Sequence, residues 1–182
     1  MKKRIAILAT DGFEESELKS PKEAMEKEGF QVDIVSLKPG NIKSWADGNW
    51  SKEYKVDKTL SEVSAKDYNA LMLPGGVINP DKLRREENAL NFVREFFKQK
   101  KPVAAICHAP WLLIEADVVE GRKMTSFNSI KKDLINAGAN WVDEEVVVDE
   151  ALVTSRNPND LPAFNAKLIE EIKEGKHEKQ HA

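Results

Sequence analysis

Cysteine is almost missing from this chain: Cys107 is the one thiol in 182 residues, so no internal disulfide can support the fold. A reducing, cytoplasmic setting agrees with that. No apolar stretch reaches the length of a membrane span. Met1-Lys2-Lys3-Arg4 runs straight into a strand-like segment of only about five residues, too short for a signal-peptide core. Neither charge sign dominates: 28 basic and 31 acidic residues are spread along the chain and leave a net charge of -3, which gives no basic footprint for nucleic acid. Repeats and low-complexity segments are also lacking. The expectation is a cytoplasmic protein with one domain over residues 1–174 and a solvated, mobile tail over 175–182, with no membrane partner and no specific nucleic-acid binding. Two of the three histidines, His177 and His181, fall in that tail, where a histidine is usually a bystander.

What is present is an alternation of strand and helix signals. Residues 4–10 form a nearly continuous apolar run, as a strand buried on both faces of a parallel sheet requires. Ser20-Pro21 followed by Glu23 reads as a helix start, giving a helix from Pro21 to Glu28 that stops at Gly29. A strand from Gln31 to Leu37 completes a βαβ unit. Residues 41–58, with Trp45 and Trp50 around Gly48, read as an irregular hairpin carrying exposed aromatics. Strands are expected again at Ala70 to Leu73, Val103 to Ile106, Glu145 to Asp149 and Leu152 to Ser155. Helices are expected over Glu87 to Lys98, after His108, over residues 130–137, and from Leu161 to Glu174 with Asp160 as cap. The class is α/β, a three-layer α/β/α sandwich with its active edge at the carboxyl ends of the strands.

Cys107 falls where a strand ends and a helix begins. A sharp strand-to-helix turn exposes one side chain at the top of the sheet and needs small neighbours two residues away, a requirement that Ala105 and Ala109 meet. Helix N–H groups at that point favour a negative charge and hence a thiolate. The competing reading is a small buried hydrophobe. Three loops at strand ends can converge on one crevice: residues 11–17 with Glu14, Glu15 and Glu17, residues 75–81 with Gly75, Gly76 and Asp81, and Cys107-His108. Together they offer a nucleophile, an acid or base, and backbone N–H groups for a developing negative charge. Cys107 and His108 are adjacent rather than at ligand spacing, so neither a metal nor a cofactor is expected at this site.

Phe13-Glu14-Glu15-Ser16-Glu17-Leu18, Leu73-Pro74-Gly75-Gly76, Ala105-Ile106-Cys107-His108-Ala109-Pro110 and Val146-Val147-Val148-Asp149 occur in an order that resembles the PfpI intracellular-protease family. That family belongs to the ThiJ/PfpI superfamily, which includes the parkinsonism-associated deglycase. The resemblance runs from Ile5 to Ile172 and implies a flavodoxin-like, mostly parallel sheet related to class I glutamine amidotransferases. It also implies a homodimer or higher homo-oligomer. It makes Cys107 the nucleophile, His108 its acid-base partner, and Glu17 the carboxyl beside the thiol, with Glu14 a second candidate. Gly76, with Gly75, and the His108 N–H resemble oxyanion donors. Asp81 stands near a carboxylate that some members supply from a neighbouring subunit, and Phe127 stands where some carry tyrosine. The implied activity is thiol chemistry on reactive carbonyls, of glyoxalase III or protein deglycase type. Peptide hydrolysis and a redox-sensing chaperone (holdase) are the alternatives.

Overall fold

The computed structural model describes residues 1–180, so His181 lies outside the described residues. Its central sheet uses β1 (Arg4–Leu8), β3 (Gln31–Ser36), β6 (Lys58–Thr59), β7 (Ala70–Leu73), β8 (Val103–Ile106), β11 (Val147–Asp149) and β12 (Leu152–Ser155). Their order is β11-β12-β8-β7-β1-β3-β6, and every neighbouring pair is parallel except β11 with β12. Alternation along the strands divides the core in two. Ala6, Leu8, Leu71, Leu73, Val103 and Ala105 face one side, and Ile5, Ile7, Ala70, Met72, Ala104 and Ile106 face the other. Because both faces are covered, the strands read as continuous apolar runs. The sandwich is a flavodoxin-like α/β fold.

One face is covered by α1 (Glu15–Lys27) and α6 (Leu161–Glu174), which pack on each other. The other carries α2 (Ile78–Leu83), α3 (Glu87–Lys98), α4 (Pro110–Glu115) and α5 (Lys131–Asn136). Helix α3 buries Leu90, Phe92, Val93, Phe96 and Phe97. At about 1.5–3 kcal/mol for each large apolar side chain, that stripe holds it far more firmly than helix propensity would.

The structure differs from the sequence reading in several places. Helix α1 begins at Glu15, and Pro21 lies inside it. Positions 17, 18, 21 and 25 form one buried stripe. Extending the helix through the proline buries that whole stripe, at the cost of one backbone donor. The hairpin is more regular than expected. Strands β4 (Asn41–Ala46) and β5 (Asn49–Lys55) are joined by Asp47-Gly48, with φ 51° and 76°, the two-residue turn that matches strand twist. One bulge lies between Lys43 and Trp45, and β2 (Phe13–Glu14) adds to this small sheet beside β4. The strand expected from Glu145 begins only at Val147. Asp160 does not cap α6, because its carboxylate accepts instead from the Arg156 backbone N–H and guanidinium. A further pair, β9 (Lys123–Met124) and β10 (Asn140–Trp141), was not expected at all. Residues 175–180, expected to be solvated, fold back on the body: the His177 N–H donates to Lys100 O at 3.0 Å, and Gln180 is buried.

Candidate active site

Cys107 follows β8 with φ 64°, a left-handed backbone that a non-glycine residue adopts at a cost of about 1–2 kcal/mol. The strain is held from both sides. The Cys107 N–H donates to Ser155 O at 3.0 Å, and Cys107 O accepts from the Phe127 N–H at 2.9 Å. Adjacent side chains on a regular helix diverge, but this turn brings Cys107 Sγ to 3.2 Å from His108 Nδ1. The other ring nitrogen, Nε2, lies 3.1 Å from Ser129 Oγ. Phe127 stacks on the imidazole at 4.8 Å, and Trp111 meets it edge-on at 5.1 Å. Burial pushes the His108 pKa below its ordinary value, so the ring is neutral near pH 7.

Glu17, on the first turn of α1, is 0% exposed and lies beside the sulfur. Its Oε1 accepts from the Gly75 N–H at 3.1 Å. Burial, and after it the charge of Glu14, raises its pKa to about 8, against the hydrogen bonds of Cys107, Gly75 and Gly76. The thiol moves the same way. Burial and then Glu17 push its pKa up, and these outweigh the His108 and Gly76 backbone N–H groups that pull it down. Both shifts run against the thiolate that helix N–H groups favour, and a proton held by the pair avoids the cost of two buried like charges.

The glycines are sterically required. A Cβ on Gly75 would stand 2.6 Å from Glu17 Oε1 and 2.8 Å from Cys107 Cβ, and one on Gly76 would stand 2.5 Å from Gly12 O. Gly76 also has φ 74°. Gly75 thus holds the carboxyl, while the Gly76 and His108 N–H groups face the sulfur. Asn79 joins two of the loops: its Oδ1 accepts from the Thr10 N–H, and its Nδ2 donates to Pro74 O and Gly75 O.

These groups open on a cavity of about 440 Å³ walled by Trp45, Val77, Ile78, Phe127 and Pro158, with Glu14 on its rim. A second cavity of about 430 Å³, near Lys38, Lys82 and Arg85, contains none of the candidate catalytic side chains. Asp81 is placed differently from the rest. It lies in α2, and its Oδ1 accepts from Arg84 Nη2 at 2.8 Å, so within one chain His108 is oriented by Ser129 instead.

The DJ-1/PfpI family profile matches residues 3–171. The chain belongs to the DJ-1/PfpI family. Protein/nucleic acid deglycase 2 of Escherichia coli is 46% identical over 170 residues, 93% of this chain and 97% of that protein. Deglycase PfpI of Pyrococcus furiosus is 42% identical over 170 residues, 93% of this chain and 99% of that one. Among solved structures, a two-domain protein of Anabaena variabilis with DJ-1/ThiJ/PfpI-like and ferritin-like domains superimposes with a TM-score of 0.89 at 37% identity. The match covers 94% of this chain and 48% of that one, so this chain spans about half of the two-domain protein. Relatives in the DJ-1/PfpI family are thus named as deglycases, enzymes whose named activity the Cys107 cavity has to be read against.

Sequence reasoning missed Ser129, Trp111 and Asn79 as parts of this DJ-1/PfpI site. Ser129 sits 21 residues from its histidine and Asn79 69 residues from Thr10, while Trp111, three residues after His108, reads in sequence as an ordinary helix residue. Residues 75–81 stood out in the sequence as a loop at a strand end, but nothing there shows that the Asn79 amide joins two loops.

Proposed function

We propose that this chain is a cysteine-dependent enzyme acting on reactive carbonyls, of deglycase or glyoxalase type, with Cys107 as nucleophile. One observation carries the reading: the Cys107 thiol, the buried Glu17 carboxyl and the His108 imidazole meet inside a largely apolar cavity, beside two backbone N–H groups. With Nε2–H donated to Ser129 Oγ, His108 Nδ1 presents its lone pair to the Cys107 S–H. As Sγ bonds to the aldehyde carbon of an α-oxoaldehyde, the thiol proton passes to Nδ1 and the carbonyl oxygen takes the negative charge. The Gly76 and His108 N–H groups lie where they can hold that charge. After the oxygen is protonated, the product is a hemithioacetal. Moving the proton from its carbon to the adjacent carbonyl carbon, with Glu17 or His108 as carrier, gives a hydroxyacyl thioester. Water cleaves the thioester to the hydroxy acid and restores the thiol. When the substrate is an adduct already formed on an amine, the amine leaves as the carbon–nitrogen bond breaks.

The same N–H donors would serve an acyl-enzyme from a peptide, the second reading. The apolar walls of Trp45, Val77, Ile78, Phe127 and Pro158 and a volume of about 440 Å³ favour the smaller substrate. A holdase surface built on the two tryptophans has less support, since Trp45 lines the cavity and only Trp50 is largely exposed. The reading includes a homodimer or higher homo-oligomer in a reducing cytoplasm, in which Asp81 of one copy can approach a second copy's site. Lactate formation from methylglyoxal is the test. Cys107→Ser is expected to lose at least about 10³-fold, and His108→Ala about 10²-fold or more. Equal rates for both variants and the parent would overturn the proposal.

A further inference from the structure

A second set of ligating side chains lies at the C-terminal end of α6, far in sequence from Cys107. Glu171 and Glu174 are three residues apart and so share a helix face. Gly175, with φ 92°, reverses the chain, and the hydrogen bond from the His177 N–H to Lys100 O fixes the return. The imidazole therefore comes back over the last helical turn. His177 Nε2 is 2.8 Å from Glu171 Oε2 and 3.4 Å from Glu174 Oε2, and one donor atom from each residue lies within 4.8 Å of the others.

The contact is not an ordinary hydrogen bond. Glu171 is 5% exposed, yet its Oε2 and the facing His177 Nε2, though at ion-pair distance, are both buried without a hydrogen-bond partner. A buried carboxylate beside a second carboxylate is stabilised by a proton or by a positive charge held between them, and a bound cation supplies the second. The nearby lysines are engaged elsewhere: Lys167 with Glu170, Lys173 with Glu28, and Lys100 with Glu178.

We propose that Glu171, Glu174 and His177 form a binding site for a zinc-class divalent cation, which locks residues 175–180 onto the end of α6. Zinc bonds to nitrogen and oxygen are about 2.0–2.2 Å, which sets ligand atoms around a tetrahedral centre about 3.3 Å apart. The 3.4 Å separation is of that size, and the 2.8 Å separation is shorter, so the imidazole moves back slightly from Glu171 to admit the ion. One imidazole and two carboxylates suit zinc, whereas magnesium and calcium prefer six or more oxygens. Glu174, the more exposed ligand, leaves one coordination position open to solvent.

The test uses tag-free, full-length protein carrying Cys107→Ser, so that the active-site sulfur cannot bind metal. Calorimetric titration with zinc chloride is expected to show one ion per chain. Binding should be weakened at least about tenfold by adding His177→Ala or Glu171→Gln, with folding of each verified by circular dichroism. Zinc should also raise the thermal midpoint of the Cys107→Ser protein and not that of its His177→Ala derivative. Absence of zinc binding, unchanged binding in His177→Ala, or equal binding of magnesium or calcium would each overturn the proposal and leave a plain histidine-carboxylate contact.

Discussion

Around Cys107 the backbone is tied on both sides, a strained φ of 64° is held in place, and the flanking glycines leave no room for a Cβ. On the β4–β5 hairpin, which forms part of the same cavity wall, β4 buries Ile42 and Ser44, but β5 has no buried residue and Trp50 is 47% exposed. One region is over-determined by its neighbours; the other is tied to the body along β4 and open along β5. Rigid placement suits groups that must meet within a hydrogen-bond length, while an adaptable wall suits choice among substrates. If that division is right, substitutions near Cys107 cost rate and stability together, and hairpin substitutions change apparent affinity alone.

After loss of the thiol itself and of the His108 imidazole, the largest effect belongs to Glu17→Gln. Activity is expected to fall by about 10²-fold, because the isosteric amide keeps the Gly75 contact but cannot carry a proton. The pH dependence of stability should change as well. With the Glu17 pKa raised from its ordinary 4.5 to about 8, the folded protein holds a proton that the unfolded chain has released between those values. Its stabilising share is complete below about pH 4.5 and is lost as pH rises through about 8. Stability should thus fall by about 1.4 kcal/mol per pH unit in that window from this group. Denaturant midpoints at pH 5 and 8 should converge in Glu17→Gln, and an unchanged slope would show that the carboxyl is already ionised.

Gly75→Ala comes next. Its Cβ would fall 2.6–2.8 Å from Glu17 Oε1, Ile106 O and Cys107 Cβ, two of them firmly placed. Overpacking of this kind costs about 1–3 kcal/mol and should move the carboxyl off the thiol. Thermal unfolding and the methylglyoxal rate should both drop, and loss of neither would mean the elbow yields more easily than its hydrogen bonds suggest.

What the sequence disclosed follows the same divide. Strands β1, β3, β7, β8 and β12 were legible because burial on two faces leaves continuous apolar runs. The thiol at the strand end and the glycine pair were legible because such turns admit few residue types. The start of α1 was not, since Ser20-Pro21 imitates a helix opening while the tertiary stripe from Glu17 to Met25 overrides it. Nor was the protonation state of the thiol. That depends first on the burial of the thiol itself and then on the nearby Glu17, which no local pattern reports.

A smaller effect separates two ways of holding the histidine. Ser129→Ala removes the Nε2 partner and is expected to cost about tenfold, in line with roughly 0.5–1.5 kcal/mol for one hydrogen bond. Asp81→Ala, which only frees Arg84 within its own chain, is the companion measurement. An unchanged rate for Asp81→Ala keeps the orientation inside the chain; a loss equal to that of Ser129→Ala moves it to a neighbouring copy.

The smallest expected effect bears most directly on the hairpin. Trp45 and Trp50 meet edge to face at 5.4 Å, but only Trp45 lines the cavity. Trp45→Ala should raise KM for methylglyoxal a few-fold, by about 1 kcal/mol of lost contact, and leave kcat near that of the parent, since the wall binds ground and transition states alike. Trp50→Ala should leave both constants unchanged and alter stability by no more than about 0.5 kcal/mol. A fall in kcat for Trp45→Ala would place the hairpin inside the catalytic geometry and erase the division between the two regions.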